Sequence, residues 1–271
     1  MAENILKTIL AHKEKEVAER RELFPAKLLE KSVYFHESPV SLTKYLARED
    51  RVGVIAEIKR QSPSKGVLNK YISVENLSIG YMQAGASALS VLTDTEFFGG
   101  SNEDLREARK FNFCPILRKD FVVDEYQIIE ARSIGADVIL LIAAALDPQT
   151  TQALARKAKE LGLEVLLEVH TKQELIEHLC DEVDIVGVNN RDLDTFTVSL
   201  DCSLELAGEI PAGIIKISES GIREPEDIVK LRAEGFQGFL IGENFMKTPR
   251  PEQACRTFIS QVASLLKGAN S

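Results

Sequence analysis

From residue 51 onward, short runs of Val, Ile and Leu alternate with longer stretches in which apolar side chains recur every three or four positions. The first run, residues 52–58, carries no polar side chain before Glu57. Uninterrupted apolar strands are what a parallel sheet covered on both faces requires. Further runs at 88–93, 115–119, 138–143, 165–169, 185–189, 214–217 and 238–242 bring the number to eight. Their starts lie roughly 20 to 35 residues apart, the size of one strand-plus-helix unit. Between them the spacing predicts helices over 74–84, 103–110, 124–134, 148–161, 172–179 and 225–234. Gly85, Gly135, Gly162 and Gly235 each precede a strand, where a left-handed residue ends a helix and returns the chain to the sheet. Eight such units without a long linker predict an α/β protein with a closed (β/α)8 TIM barrel over residues 51–271, because open doubly wound sheets usually have fewer strands.

About fifty residues precede the first strand, more than a minimal barrel of this class needs. Residues 4–20 read as an amphipathic helix with Ile5, Ile9 and Val17 on one side, and residues 41–47 as a short one. Two roles are open for this helical extension, residues 1–50. It is either a lid over the mouth of the barrel or a packing element that plugs the bottom or serves a subunit contact.

Composition narrows the classes. Among 271 residues, 33 basic and 42 acidic side chains leave a formal charge of −9, which argues against a nucleic-acid or anionic-membrane surface. The longest apolar run, residues 138–146, is far shorter than the ~20 residues that span a bilayer, and the N-terminus is not signal-like. A cytoplasmic protein is expected. Cys114, Cys180, Cys202 and Cys255 form no C-x-x-C pair, and His12, His36, His170 and His178 form no H-E-x-x-H arrangement. No structural metal is expected from them. Neither a Walker-type loop nor a G-x-G-x-x-G follows a predicted strand.

Barrel enzymes hold their reacting groups at the carboxyl ends of strands, so polar residues closing apolar strands are the candidates. Alternation in the first strand puts Gly53, Ile55, Glu57 and Lys59 on one face and Val52, Val54, Ala56 and Ile58 on the other. The wholly apolar face should meet the helices, leaving Glu57 and Lys59 at the mouth. The same test groups Lys119 with Leu117, Glu168 with Leu166, and Asn189 and Arg191 with Gly187. The seventh and eighth strands end in small residues, Ser218 to Gly221 and Ile241 to Asn244, where this fold usually cradles phosphate. Lys216 shares a face with Ser218 and Ser220, and a lysine inside a barrel is a Schiff-base candidate, against a solvated or paired lysine. His170 and His178 read as capping or surface residues before general bases, and Asp181, Glu182 and Asp184 as a solvated loop before a cation site.

Seven segments resemble the indole-3-glycerol phosphate synthase family in order and spacing. They are I-A-E-I-K-R-Q-S-P-S-K-G at 55–66, F-F-G-G-S at 97–101, P-I-L-R-K-D-F at 115–121, L-E-V-H-T at 167–171, G-V-N-N-R-D-L at 187–193, S-E-S-G-I at 218–222 and I-G-E at 241–243. The resemblance extends to the leading helix and covers nearly the whole chain, and the first and third segments are the most specific. It implies ring closure of 1-(2-carboxyphenylamino)-1-deoxyribulose 5-phosphate with loss of carbon dioxide and water, a step of tryptophan biosynthesis. It implies no cofactor and no metal, a phosphorylated small-molecule substrate, no nucleic-acid or membrane partner, and a monofunctional monomer or weak homo-oligomer.

That chemistry asks for the residue types present. Attack of an aromatic carbon on a ketone needs a proton or strong hydrogen bond at the carbonyl oxygen, and later loss of the hydroxyl needs a second proton delivered and one removed. By resemblance Lys119 is the general acid of ring closure. Lys59, Glu57 and Glu168 manage the later steps, in a division left open, with Lys59 also reaching the phosphate. Asn189 and Ser220 complete the catalytic set. Asn189, Arg191 and Ser62, with Glu219, hold the substrate's carboxylate and hydroxyls, while Phe98, Phe121 and Leu140 form a slot for the aromatic ring. Ser220 and Gly221 with Gly242 and Glu243 fall on the phosphate positions, mostly through backbone N–H, with no side-chain role expected for Glu243. Asn190 beside Asn189 leaves a one-position ambiguity, in which alternation favours Asn189 facing inward. Two other classes stay open on the residues alone: another phosphate-binding barrel enzyme, including an aldolase using Lys119 or Lys216, and a barrel that only binds phosphorylated ligands.

Overall fold

The computed structural model describes residues 5–192 and 196–269. Asn4, the expected start of the first helix, and Leu193, the end of one family segment, lie outside them. Among the described residues, eight parallel strands close into a barrel: β1 (Val54–Ile58), β2 (Ala88–Leu92), β3 (Ile116–Lys119), β4 (Val138–Ile142), β5 (Glu164–Val169), β6 (Ile185–Asn189), β7 (Ile215–Glu219) and β8 (Gly238–Ile241). β8 closes the barrel on β1, with Val54 opposite Phe239 and Ala56 opposite Ile241. The predicted barrel is the observed one.

The six predicted helices are present within a few residues of their expected ends. Most start where the sequence supplies an oxygen for the free N–H groups of the first turn: Ser73, Ser101, Asp124, Asp147 and Thr171 each accept one. β1 begins two residues later than expected. Gly53 has φ +87°, and a Cβ there would lie 2.0 Å from the Gln237 carbonyl oxygen, so the chain crosses close over its neighbour before it becomes extended. Beyond that point alternation holds. Val54, Ala56 and Ile58 join the helix-facing core, while Ile55 joins the barrel interior with Leu117, Val138, Leu140, Leu166, Ile185, Ile217 and Leu240.

The N-terminal extension reaches both ends of the barrel, by different parts of it. Helix α1 (Ile5–Leu23) lies across the mouth, where Ile5, Leu6 and Ile9 line the cavity. The short helix Leu42–Leu46 sits at the opposite end and drives Leu42 and Leu46, both fully buried, into the barrel interior. Glu164, the first residue of β5, holds that helix in place. Its carboxylate accepts hydrogen bonds from the backbone N–H of Leu42 and Thr43 and from the hydroxyls of Ser41 and Thr43, at 2.6 to 3.0 Å. Among the described residues no helix is long and apolar enough to cross a membrane.

Candidate active site

The carboxyl ends of the strands open into a cavity of about 370 Å³. Every residue that the family resemblance assigns to the site lines it: Glu57, Lys59, Ser62, Phe98, Lys119, Phe121, Leu140, Glu168, Asn189, Arg191, Glu219, Ser220, Gly221, Gly242 and Glu243. The strands deliver the charged groups to one point because each contributes its last inward position. Lys119 ends β3, Glu219 ends β7, and Glu168 and Asn189 are the final inward residues of β5 and β6.

At the centre, Lys119 Nζ donates to both Glu168 Oε2 and Glu219 Oε2, each at 2.6 Å. Asn189 Nδ2 donates to the other Glu168 oxygen at 2.9 Å, and Asn189 Oδ1 accepts from the Arg191 backbone N–H at 3.0 Å. Glu57 and Lys59 pair at 2.6 Å beside this group. Burial alone disfavours the Lys119 ammonium, but Glu168, Glu219 and Glu57 outweigh it and raise its pKa well above the ordinary lysine value. The two carboxylates are pushed apart. Burial opposes ionisation of Glu168, yet the Lys119 cation and hydrogen bonds from Lys119 and Asn189 bring it below the usual range. Glu219 rises to about 7, chiefly by burial and then by the nearby charges of Glu168 and Glu57, against the pull of Lys119. Two like charges on one cation thus give one ionised carboxylate and one that holds a proton near neutrality.

Glycines make room for this cluster. A Cβ on Gly187 would lie 2.3 Å from Glu219 Oε1, and one on Gly242 would lie 2.4 Å from Glu57 Oε1. Gly242, expected only as a phosphate-loop residue, therefore also leaves space for a carboxylate. It precedes the short helix Glu243–Met246, whose first residues, Glu243 and Asn244, line the mouth with Ser220 and Gly221. The Glu243 carboxylate, expected to have no side-chain role, lies 3.4 Å from Arg191 and 4.0 Å from Lys65. On the far wall the Phe98 and Phe121 rings stand 6.1 Å apart, next to Leu140, Ile142 and the α1 side chains, which makes that side of the cavity apolar.

Lys216 is placed otherwise than the Schiff-base candidacy requires. In β7 the inward positions are Ile215, Ile217 and Glu219, so Lys216 points away from the barrel and its Nζ donates to the Ala207 carbonyl at 2.5 Å. His178 shares a buried hydrogen bond with Thr151, and His170 Nδ1 meets the Asn189 carbonyl outside the cavity. Asp184 pairs with Lys159, and Glu182 with Arg156. Among the described residues no group of His, Cys, Asp and Glu is arranged to hold a metal ion. Gly66 turns the small antiparallel ribbon formed by Gln61–Ser62 and Gly66–Val67.

Sequence reading missed the anchor of α1. Lys13 is 1% exposed, and its Nζ lies 2.9 Å from Asp94 and 3.0 Å from Asp120. These two carboxylates follow β2 and β3, the latter one residue past Lys119. Nothing in the helix marks Lys13 as buried among its charged neighbours. The only signal was that two more strands end in an acid.

A family model described as indole-3-glycerol phosphate synthase matches residues 6–258. Proteins of that name from Bacteroides thetaiotaomicron, Dechloromonas aromatica and Bordetella pertussis are 46%, 44% and 43% identical to this chain, covering 96%, 92% and 92% of it and 99%, 96% and 96% of their own lengths. Among solved structures, a variant tryptophan synthase alpha-subunit from Pyrococcus furiosus superposes with a TM-score of 0.60 at 15% identity, covering 79% of this chain and 98% of its own. A structure titled native KDPGal gives 0.55 at 15% identity, covering 80% and 95%. These two share the barrel alone. Identity above 40% over nearly the full length, on a barrel whose mouth gathers the site residues those motifs supply, means that the chain belongs to the indole-3-glycerol phosphate synthase family, the carboxy-lyases of tryptophan biosynthesis.

Proposed function

We propose that the barrel converts 1-(2-carboxyphenylamino)-1-deoxyribulose 5-phosphate to indole-3-glycerol phosphate, with Lys119 as the principal acid. The observation that carries this reading is the placement of Lys119 Nζ between Glu168 and Glu219 on the floor of a cavity with an apolar wall on one side and a Gly-containing anion cradle on the other. The aromatic ring fits against Phe98, Phe121 and Leu140, its carboxylate meets Arg191, and Asn189 and Ser62 hold sugar hydroxyls. The phosphate sits on the backbone N–H groups around Ser220, Gly221, Gly242 and Glu243, with Lys59 in reach.

In this pose the ring carbon bearing the carboxylate attacks the ketone carbon, a C–C bond forms, and the carbonyl oxygen takes a proton from Lys119 as negative charge develops on it. The bond to the carboxylate then breaks, carbon dioxide leaves, and its electron pair restores the aromatic ring. The hydroxyl departs as water after one proton is delivered and another removed. Glu168, ionised, suits the base, and Glu219, which keeps a proton near neutrality, suits the donor that restores Lys119. Residues 51–271 form the catalytic barrel in this reading and residues 1–50 its extension. The enzyme works in the cytoplasm as a monomer or weak homo-oligomer, on a free phosphorylated substrate.

The test mixes purified protein with this substrate, without added metal or cofactor, and follows indole fluorescence. A rising signal is expected, and Lys119→Ala, still folded, should lower its rate by about 10²- to 10⁴-fold. Residual activity within about tenfold of the parent is too much for a variant lacking its general acid and overturns the role of Lys119. No signal from the unchanged protein overturns the reaction.

A further inference from the structure

The second asparagine of the pair at the end of β6 does different work from the first. Asn189 faces the cavity, whereas Asn190 turns behind the sheet and is 1% exposed. Its Nδ2 donates to Ser218 Oγ at 2.8 Å and to the Ser220 carbonyl oxygen at 3.0 Å. Its Oδ1 accepts from the Ser203 backbone N–H at 3.1 Å and from Ser203 Oγ at 2.8 Å. The Ser203 and Ser218 hydroxyls are themselves 2.8 Å apart. A hydroxyl has one proton to give, and that of Ser203 goes to Asn190, so the proton between the two serines comes from Ser218. A closed ring of donors results, from Asn190 to Ser218 to Ser203 and back. The ring fixes which way the amide faces and aims its remaining N–H at Ser220.

Ser220 needs such a hold. Its φ is +65°, followed by +79° at Gly221, and a left-handed residue with a side chain persists only where its surroundings impose it. The peptide between them is trans. Drawing the Ser220 carbonyl back behind the sheet therefore turns the Gly221 N–H to the opposite side, where Ser220, Gly221 and Ile222 line the cavity. We propose that Asn190 is a positioning residue for anion recognition: it holds the Ser220–Gly221 turn so that its N–H faces the substrate's phosphate. The inference rests on the reading that this turn receives the phosphate.

The test is Asn190→Asp, which keeps the size and places an oxygen against the Ser220 carbonyl. Two quantities are read: the inhibition constant of inorganic phosphate competing with substrate, and the separate changes in KM and kcat. Loss of one oriented hydrogen bond predicts a rise of about tenfold in both the phosphate constant and KM, with kcat held within about threefold. Ser203→Ala opens the ring but leaves the Ser220 bond, and a shift of roughly two- to threefold in the same direction is expected. Asn190→Asp that folds and keeps both quantities near their original values overturns the proposal. So does a fall in kcat with phosphate affinity retained, the mark of a merely structural role. If Asn190→Asp does not fold, an unchanged phosphate constant in Ser203→Ala overturns it. Phosphate that fails to compete on the unchanged protein overturns the cradle reading as well, whereas phosphate that competes equally with parent and variant overturns the role of Asn190 alone.

Discussion

At the floor of the barrel, Leu42 and Leu46 fill the space between Ile55, Leu117, Ile185 and Ile217; at the mouth, α1 is fastened by Lys13 between Asp94 and Asp120. One N-terminal segment closes both ends, by dispersion and hydrophobic burial below and by a buried ion triad above. Apolar closure is non-directional and stabilising, and it suits the end through which nothing passes. A buried charge cluster contributes less net stability, because desolvation opposes the attraction, but its geometry is specific. It sets α1 at a fixed height over the mouth and leaves a cavity between helix and strand ends. The mouth also concentrates groups whose ionisation burial opposes, Glu219 above all; at the opposite end Asp137, just before β4, is one such group, pushed up to about 6 chiefly by burial.

Substitutions at the two ends should separate these effects. The largest is expected for Lys13→Met, which leaves Asp94 buried without its cation and Asp120 with Arg118 alone. Breaking such a cluster costs about 3 to 5 kcal/mol, seen as a lower denaturation midpoint, and a loosened α1 should also raise KM. A stability loss below about 1 kcal/mol would mean that the triad does not hold the helix. Next comes Leu46→Ala at the floor, with a cost of about 2 to 5 kcal/mol and no change in kcat/KM per folded molecule. If activity falls along with stability, the two ends are coupled and the division fails.

Glu219→Gln gives a smaller effect whose sign depends on pH. In the folded chain Glu219 keeps its proton to about pH 7, while an ordinary glutamate releases it near 4.5. Its contribution to stability is therefore lost as pH rises from 4.5 through 7. The Gln variant should gain stability relative to the parent between pH 5 and pH 8 in denaturant melts, and a constant difference would refute the raised pKa. The smallest change is expected for Glu243→Gln. Its ion pairs with Arg191 and Lys65 are long and partly exposed, so stability should hold, while release of two cations near the anion cradle lowers KM by about threefold or less.

Much of the site was legible before any coordinates, since side chains alternate along a strand and a barrel presents the carboxyl ends of its strands to one mouth. Parity put Glu57, Lys119, Glu168 and Asn189 inward, where they are. The same parity places Lys216 outward once β7 is seen to run from Ile215 to Glu219. The expected run ended at residue 217 and left the inward set of that strand unassigned. Asn190, an ambiguity in sequence, became an anchor only when Ser203 and Ser218 were found behind it.

By itself the sequence determined the eight strand-and-helix units, the face each strand turns inward and the family motifs, because these depend on periods of two and 3.6 residues and on chemistry written within short segments. Tertiary structure decided which of those groups meet. Lys119 and Glu219 stand 100 residues apart in the chain and 2.6 Å apart in space, and Lys13 reaches Asp120 across more than a hundred residues. Barrel closure and strand register fix such distances. The protonation of Glu219, the burial of Lys13 and the need for glycine at positions 187 and 242 all follow from those distances, and no local pattern encodes them.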